Sequence, residues 1–209
     1  PMVRIPWNSP ENFKRVLDAG AWGIVVPMVN SRAEAEQAVQ AMRYPPRGSR
    51  SVGGGRHALS FDTAAEEYYR HADDQLLLVL QIEHIHGVEA ADEILSVPGV
   101  DACFVGPNDL AASMGLGLGV PLESDSPRLV EAIKHVRGTA AKYGVAPGIH
   151  CSGAGGVARR IAEGFQFCAM ASELKYMLAG LRADLAQINW QPTGPRELAV
   201  DDQGAIVRY

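Results

Sequence analysis

Two acids stand directly after two apolar runs, and this placement is the strongest chemical signal in the chain. Leu76 to Leu80 leads through Gln81 and Ile82 to Glu83, and Ala102 to Val105 leads through Gly106, Pro107 and Asn108 to Asp109. The two runs are separated by a helical pattern from Val88 to Leu95 that stops at Val97-Pro98-Gly99. They read as parallel strands of a βαβ unit, buried on both faces. Parallel strands end along a common edge, so the two carboxylates become neighbours. Single acids at such places often cap the following turn or helix. Two of them converging with Gln81, beside a glycine that lets backbone approach a ligand closely, point instead to a bound divalent cation. An all-oxygen site with two protein ligands leaves room for water and substrate, which is the habit of Mg²⁺ or Mn²⁺.

Other candidates are weaker. Arg4 is a lone charge at the end of an apolar strand, where a guanidinium can meet an anion or a developing oxyanion, or pair with a strand-end acid. His84 and His86 follow Glu83 and could form a zinc-type cluster. Their position beyond the strand end favours polar loop histidines, although one could serve in acid–base exchange. The loop Cys151-Ser152-Gly153-Ala154-Gly155-Gly156 lacks the spacing of a Walker or Rossmann phosphate loop and reads as a tight turn. Lys14, Lys134, Lys142 and Lys175 are the only lysines, and all lie in helical patterns. A Schiff-base mechanism wants a desolvated lysine, so metal-assisted chemistry ranks above imine chemistry.

The elements that must position these residues follow from periodicity and punctuation. Strands are expected at Pro1–Ile5, Ile24–Val26, the two runs above, Val145–Ile149 and Phe167–Ala171. Helices are expected from Ser9-Pro10-Glu11 to Ala19, from Arg32 to Met42 behind a Ser31 cap, and around Glu66–Tyr69. Further helices fall at Val88–Leu95, Pro127–Tyr143, Gly156–Glu163 and Glu173–Ile188. Arg47–Ser60, Gly-rich and basic, reads as a long mobile loop, and residues 189–209 as an irregular tail. Six strands alternating with helices build a parallel α/β structure. A closed (β/α)8 TIM barrel needs eight strands. The expectation is a partial barrel over residues 1–188, strands 3 to 8, lacking the first two βα units, rather than a six-stranded open sheet.

The 209 residues amount to about one domain, 47% hydrophobic and 21% charged, with a formal net charge of −5. That balance gives no support for a nucleic-acid or anionic-membrane partner. Cys103, Cys151 and Cys168 lie in or beside apolar runs without metal spacing, as buried thiols of a reducing compartment do. With no signal peptide and no membrane-length apolar stretch, the expected location is cytoplasmic.

Taken together, VRIPWNSPENFKRVLDAGAWGIVVPMV, AMRYPPRGSRSVGGG, LVLQIE and VPGVDACFVGPNDLAASMG resemble the HpcH/HpaI aldolase family, the metal-dependent 2-oxo-acid aldolases. The resemblance runs from Val3 to about Ile188. It implies a barrel of the phosphoenolpyruvate/pyruvate type, assembled as a homo-oligomer, a dimer-based hexamer that exchanges its last helix. It also implies Glu83 and Asp109 as ligands of Mg²⁺, Mn²⁺ or Co²⁺, and Arg4 as the catalytic cation. Gly106, Pro107 and Asn108 would hold the carboxylate of pyruvate, with Gln81 nearby. The implied reaction is cleavage of a 4-hydroxy-2-oxo acid to pyruvate and an aldehyde. Oxaloacetate decarboxylation, acyl-CoA lysis and a non-catalytic truncated subunit are the alternatives. The family's Asp-x-Glu-His segment, with its acid–base histidine, has no counterpart in this sequence.

Overall fold

The computed structural model describes residues 1–53 and 55–188; the tail expected at 189–209 lies outside the described residues. The chain opens with β1 (Met2–Arg4), α1 (Pro10–Asp18), β2 (Gly23–Val26) and α2 (Arg32–Met42). Then come α3 (Arg56–Ser60), α4 (Ala65–Gln75), β3 (Leu77–Ile82), α5 (Ile85–Glu89) and α6 (Ala91–Leu95). After β4 (Ala102–Val105) follow α7 (Pro107–Ser113), α8 (Pro127–Tyr143), β5 (Ala146–Cys151), α9 (Ala154–Ala162), β6 (Phe167–Met170) and α10 (Glu173–Gln187). Residues 1–170 form one compact unit, and a second begins at Ala171.

The strands pair in chain order, β1-β2-β3-β4-β5-β6, all parallel, as an open curled sheet with β1 and β6 at its edges. Alternation along each strand divides its side chains between two faces. Leu78, Leu80, Ile82, Cys103, Val105 and Ile149 face the helices and join the main core with Phe13, Leu17, Ile94, Leu129 and Val136. Val79, Ala102 and Phe104 face the other way and pack with Val25, Ala146, Phe167 and Ala169. The second set lines the inner face, where Phe104 and Phe167 lie 5.5 Å apart between ring centroids.

Local chemistry fixes the helix ends. Ser31 Oγ accepts the Glu34 N–H while the Glu34 carboxylate accepts the Asn30 N–H at 2.6 Å, a reciprocal cap that starts α2. Pro107 occupies the first turn of α7. Gly144, at φ 69°, ends α8 in the left-handed conformation that lacks a steric penalty only for glycine. Ser9 stands at the N-cap of α1, but its hydroxyl makes no cap bond.

The expected mobile loop at Arg47–Ser60 is corrected in two ways. Arg56–Ser60 is helical, and Arg50 is buried, its Nη2 donating to Asp18 at 2.8 Å with its guanidinium 4.5 Å above the Tyr44 ring. Lys14 donates to Asp18 at 2.7 Å and to the carbonyls of Ser51 at 3.2 Å and Gly53 at 2.8 Å, pinning the Gly-rich strip to α1. Burial by itself would raise the Asp18 carboxyl; the hydrogen bonds and charges of Lys14 and Arg50 outweigh it and hold the group below the usual carboxylate range. A depressed acid stabilises the fold above its unfolded pKa, about 3.9, and loses that contribution as pH falls through the lower folded value. Arg50→Met is therefore expected to lose about 3 kcal/mol at pH 7. The gap to the parent protein should narrow at pH 3. Urea unfolding at both pH values measures this, and an equal gap at both would exclude the pair as its source.

Candidate metal and substrate site

Glu83 is the first residue after β3, and the period of two puts it on the inner face with Gln81 and Val79. Its carboxylate is held from two sides: Gln81 Nε2 donates to Oε2 at 2.6 Å, and the Met28 backbone N–H donates to Oε1 at 3.0 Å. Met28 adopts φ 54°, a left-handed conformation that a side-chain-bearing residue holds only at a cost. The Asn30 amide steadies it by donating to the Met28 carbonyl at 3.0 Å, and the Val29 N–H donates to the Gln81 carbonyl at 3.2 Å. The turn after β2 is thus bent to aim an N–H at the acid ending β3. Nothing in the types of Pro27 and Met28 signals this from sequence.

Gly106 ends the neighbouring strand. A Cβ placed on it would lie 2.5 Å from Glu83 Oε2 and 2.9 Å from Glu83 Cβ. The carboxylate therefore leans over Gly106, and the glycine is required by a side chain of the protein itself as well as by any ligand. Asp109 lies in the first turn of α7 and is exposed, as is Asn108, whereas Pro107 is buried. Arg4 lies exposed at the end of β1, level with Val25 of β2, and makes no ion pair among the described residues.

The electrostatics join these groups. Glu83 is 4% exposed, and burial pushes its carboxyl up; the Met28 N–H opposes the rise, Asp109 adds to it by like charge, and Arg4 counters it. The net shift is upward. Beside it, Gln81 Oε1 is buried with no hydrogen-bond partner. Arg4 offsets only part of what burial and like charge impose on Glu83, and two carboxylates with an orphaned amide oxygen are donors of the kind a hard cation takes. Among the described residues no group of three or more His, Cys, Asp or Glu side chains is placed to hold a metal. The residues thus fit an ion carried by two carboxylates and small oxygen ligands, and do not fit a zinc-type site.

His84 and His86 do not converge on this cluster as a third ligand. His84 caps α5, its Nδ1 accepting the His86 N–H at 3.2 Å, and the two rings lie 4.6 Å apart between centroids, tilted 58° to each other. The Cys151–Gly156 loop holds a carboxylate instead of phosphate: Glu123 accepts from Ser152 N at 2.8 Å and Ser152 Oγ at 2.6 Å. All four lysines fall in helices. His150, by contrast, was not singled out in the sequence. β5 runs two residues beyond the expected Ile149, and the alternation that buries Ile149 and Cys151 on the helix side turns His150 to the inner face.

The family model for HpcH/HpaI aldolase/citrate lyase matches residues 1–179. The chain belongs to that family. It is 41% identical over 187 residues to a hydroxypyruvate/pyruvate aldolase of Rhizorhabdus wittichii, covering 89% of this chain and 72% of that protein. It is 38% identical over 175 residues to a 5-keto-4-deoxy-D-glucarate aldolase of Shigella dysenteriae, covering 83% of this chain and 66% of that protein. The solved structure of an HpcH/HpaI aldolase/citrate lyase family protein from Burkholderia cenocepacia superposes with a TM-score of 0.81 at 31% identity, covering 91% of this chain and 74% of that one. This chain therefore spans about two thirds to three quarters of the length of these relatives. Among the described residues no helix is long and apolar enough to cross a membrane.

Proposed function

We propose that this protein is a metal-dependent aldolase that cleaves a 4-hydroxy-2-oxo acid to pyruvate and an aldehyde. The observation that carries the reading is the Glu83 carboxylate. It is buried, gripped by Gln81 and the Met28 N–H, laid over Gly106 and driven toward protonation by burial and by Asp109. Glu83 and Asp109 would hold the ion, Mg²⁺, Mn²⁺ or Co²⁺, which when bound supplies Lewis-acid stabilisation of 2-oxo-acid oxygens.

The chain's own groups do the rest. Pro107 has no N–H and the Gly106 N–H donates to the Ile82 carbonyl, so at the Gly106-Pro107-Asn108 corner it is the N–H groups of Asn108 and Asp109, which lack intrahelical acceptors, that receive the pyruvate carboxylate, with Gln81 alongside. As the C3–C4 bond breaks, its electron pair stays on the three-carbon half as the enolate of pyruvate. The C4 hydroxyl gives its proton to water, the aldehyde departs, and the enolate takes a proton from water at C3 to become pyruvate. Arg4 faces the charge that grows on the enolate oxygen, an oxyanion donor in role.

On the same reading the six strands are strands 3 to 8 of a (β/α)8 barrel, and the protein is cytoplasmic. α10 buries none of its residues and leaves Leu174, Tyr176, Met177 and Leu181 more than half exposed. Such a helix suits packing against another copy, and supports a homo-oligomer, a dimer-based hexamer. The test is pyruvate release from a 4-hydroxy-2-oxo acid and from oxaloacetate, and acetyl-CoA release from malyl-CoA, after chelation and after return of each ion. Metal-restored release from the first substrate is expected. Preference for oxaloacetate or the thioester would reassign the reaction, and release that ignores chelation would sink the metal.

A further inference from the structure

We infer that Asn30 is a positioning residue for the Glu83 carboxylate, acting through the left-handed Met28 whose N–H grips that acid. This rests on the reading of Glu83 as a ligand of a divalent cation and adds to it the group that sets the ligand's aim.

The turn after β2 is held in a conformation it would not choose. A residue with a side chain enters the left-handed region only at a cost, and Met28 sits there at φ 54°. That angle decides where the Met28 N–H points. The next amide, Val29 N–H, is fixed on the Gln81 carbonyl at 3.2 Å. With that point held, rotation about the Met28 N–Cα bond swings the Pro27–Met28 peptide, and its N–H leaves Glu83 Oε1, which it reaches at 3.0 Å. The bond placed to prevent this runs from Asn30 Nδ2 to the Met28 carbonyl, 3.0 Å long, and it closes the turn from the far side of the strained residue.

Asn30 is itself anchored from two directions. Its N–H donates to Glu34 Oε2 at 2.6 Å, in the first turn of α2. On the other side lies Gly87 of α5, where a Cβ would stand 2.7 Å from the Val29 carbonyl oxygen and 3.1 Å from Asn30 Oδ1. The turn thus touches the segment that carries Glu83 at residues 81, 83 and 87. Asn30 Oδ1 is buried with no hydrogen-bond partner. An unpaired buried acceptor is a cost that an apolar residue would avoid, and what offsets it is the donor on the same amide. Among the described residues Asn30 makes no bond to Glu83, so its influence passes through Met28.

The test is binding of Mn²⁺ alone, followed by titration calorimetry, beside the metal-free melting temperature. Asn30→Ala should weaken Mn²⁺ binding about tenfold or more, as loss of a group that orients a ligand does. Its metal-free melting temperature should fall by only about 2–4 °C, the share of one hydrogen bond. In a Met28→Gly background the same Asn30→Ala change should cost no more than about threefold in Mn²⁺ affinity, because glycine is left-handed without help. A general loosening would cost as much in either background. Gly87→Ala keeps the amide and improves the helix propensity of α5, yet its methyl presses on the turn from the other side. It should also weaken Mn²⁺ binding about tenfold, and it carries the test if Asn30→Ala does not fold. Parent-like Mn²⁺ affinity in Asn30→Ala or in Gly87→Ala, or an equal loss with and without Met28→Gly, would overturn the assignment. Glu83→Gln is the control: if it binds Mn²⁺ as the parent does, the reading of Glu83 falls, and this inference with it.

Discussion

Glu83→Gln should lose metal-dependent cleavage by a factor on the order of 10³ or more, the loss of several kcal/mol of charge stabilisation. In the absence of metal it should unfold no more easily than the parent. The amide keeps the shape of the side chain and an acceptor for the Met28 N–H. It removes a charge that burial and Asp109 both disfavour. Relief of about 1 kcal/mol would raise the melting temperature by about 2–4 °C in a protein of this size. Added Mg²⁺ or Mn²⁺ should reverse the order, since an ion that binds the folded parent stabilises it by mass action and gives the variant much less. Two melting curves for each protein, with and without metal, therefore carry a crossing of sign. Equal metal-induced shifts in both would remove Glu83 from the ion's coordination. A site that stores repulsion until its ligand arrives is the usual exchange of stability for function.

How far the sequence could be read depended on whether a feature was local. β3 and β4 are legible because strands buried on both faces read as nearly unbroken apolar runs, interrupted here only by Gln81, and α2 because Ser31 and Glu34 cap it within one turn. That Glu83 and Asp109 come near enough to feel each other's charge was legible because parallel strands share an edge. What the sequence could not show is what reaches Glu83 from elsewhere: a left-handed Met28 from the turn after β2, and the space left by Gly106 on the next strand. The Arg47–Ser60 stretch was misread for the same reason. Glycine and charge indicate mobility locally, whereas Arg50 is fixed by Asp18, Tyr44 and Tyr68, which come from three separate segments. The helical pattern expected over Val88–Leu95 begins earlier and breaks at Ala90 into α5 and α6, with no proline or glycine at the break to mark it. His150 was missed by a boundary: ending β5 at Ile149 removes the one count of alternation that turns an imidazole to the inner face.

Gly106→Ala tests the site without touching any charged group. Gly106 has φ −99° and ψ 91°, a conformation open to alanine, so the backbone itself should accept the change. The consequences fall on the neighbours instead, because the new methyl would stand 2.5 Å from Glu83 Oε2, 2.9 Å from Glu83 Cβ and 3.2 Å from Gln81 Nε2, so β3 and β4 must also part slightly at this point. The carboxylate can retreat only by giving up its bond from Gln81 or from the Met28 N–H. Either movement takes it out of line with Asp109. Apparent metal affinity should fall about 10–100-fold, as when groups that orient a ligand are lost, and turnover at fixed metal should fall on the order of 10²-fold. Overpacking of this kind destabilises by about 1–3 kcal/mol, so the protein should remain folded. Excess Mg²⁺ should then recover part of the activity, which it cannot do for Glu83→Gln. Glu83→Asp supplies the sharper check: one methylene shorter, it draws the carboxylate back from position 106. It should be harmful alone, yet less harmful in combination with Gly106→Ala than the two separate losses add up to. Strict additivity of the pair would mean that the acid and the glycine do not share the space the structure gives them, and the lyase site built on that contact would have to be abandoned.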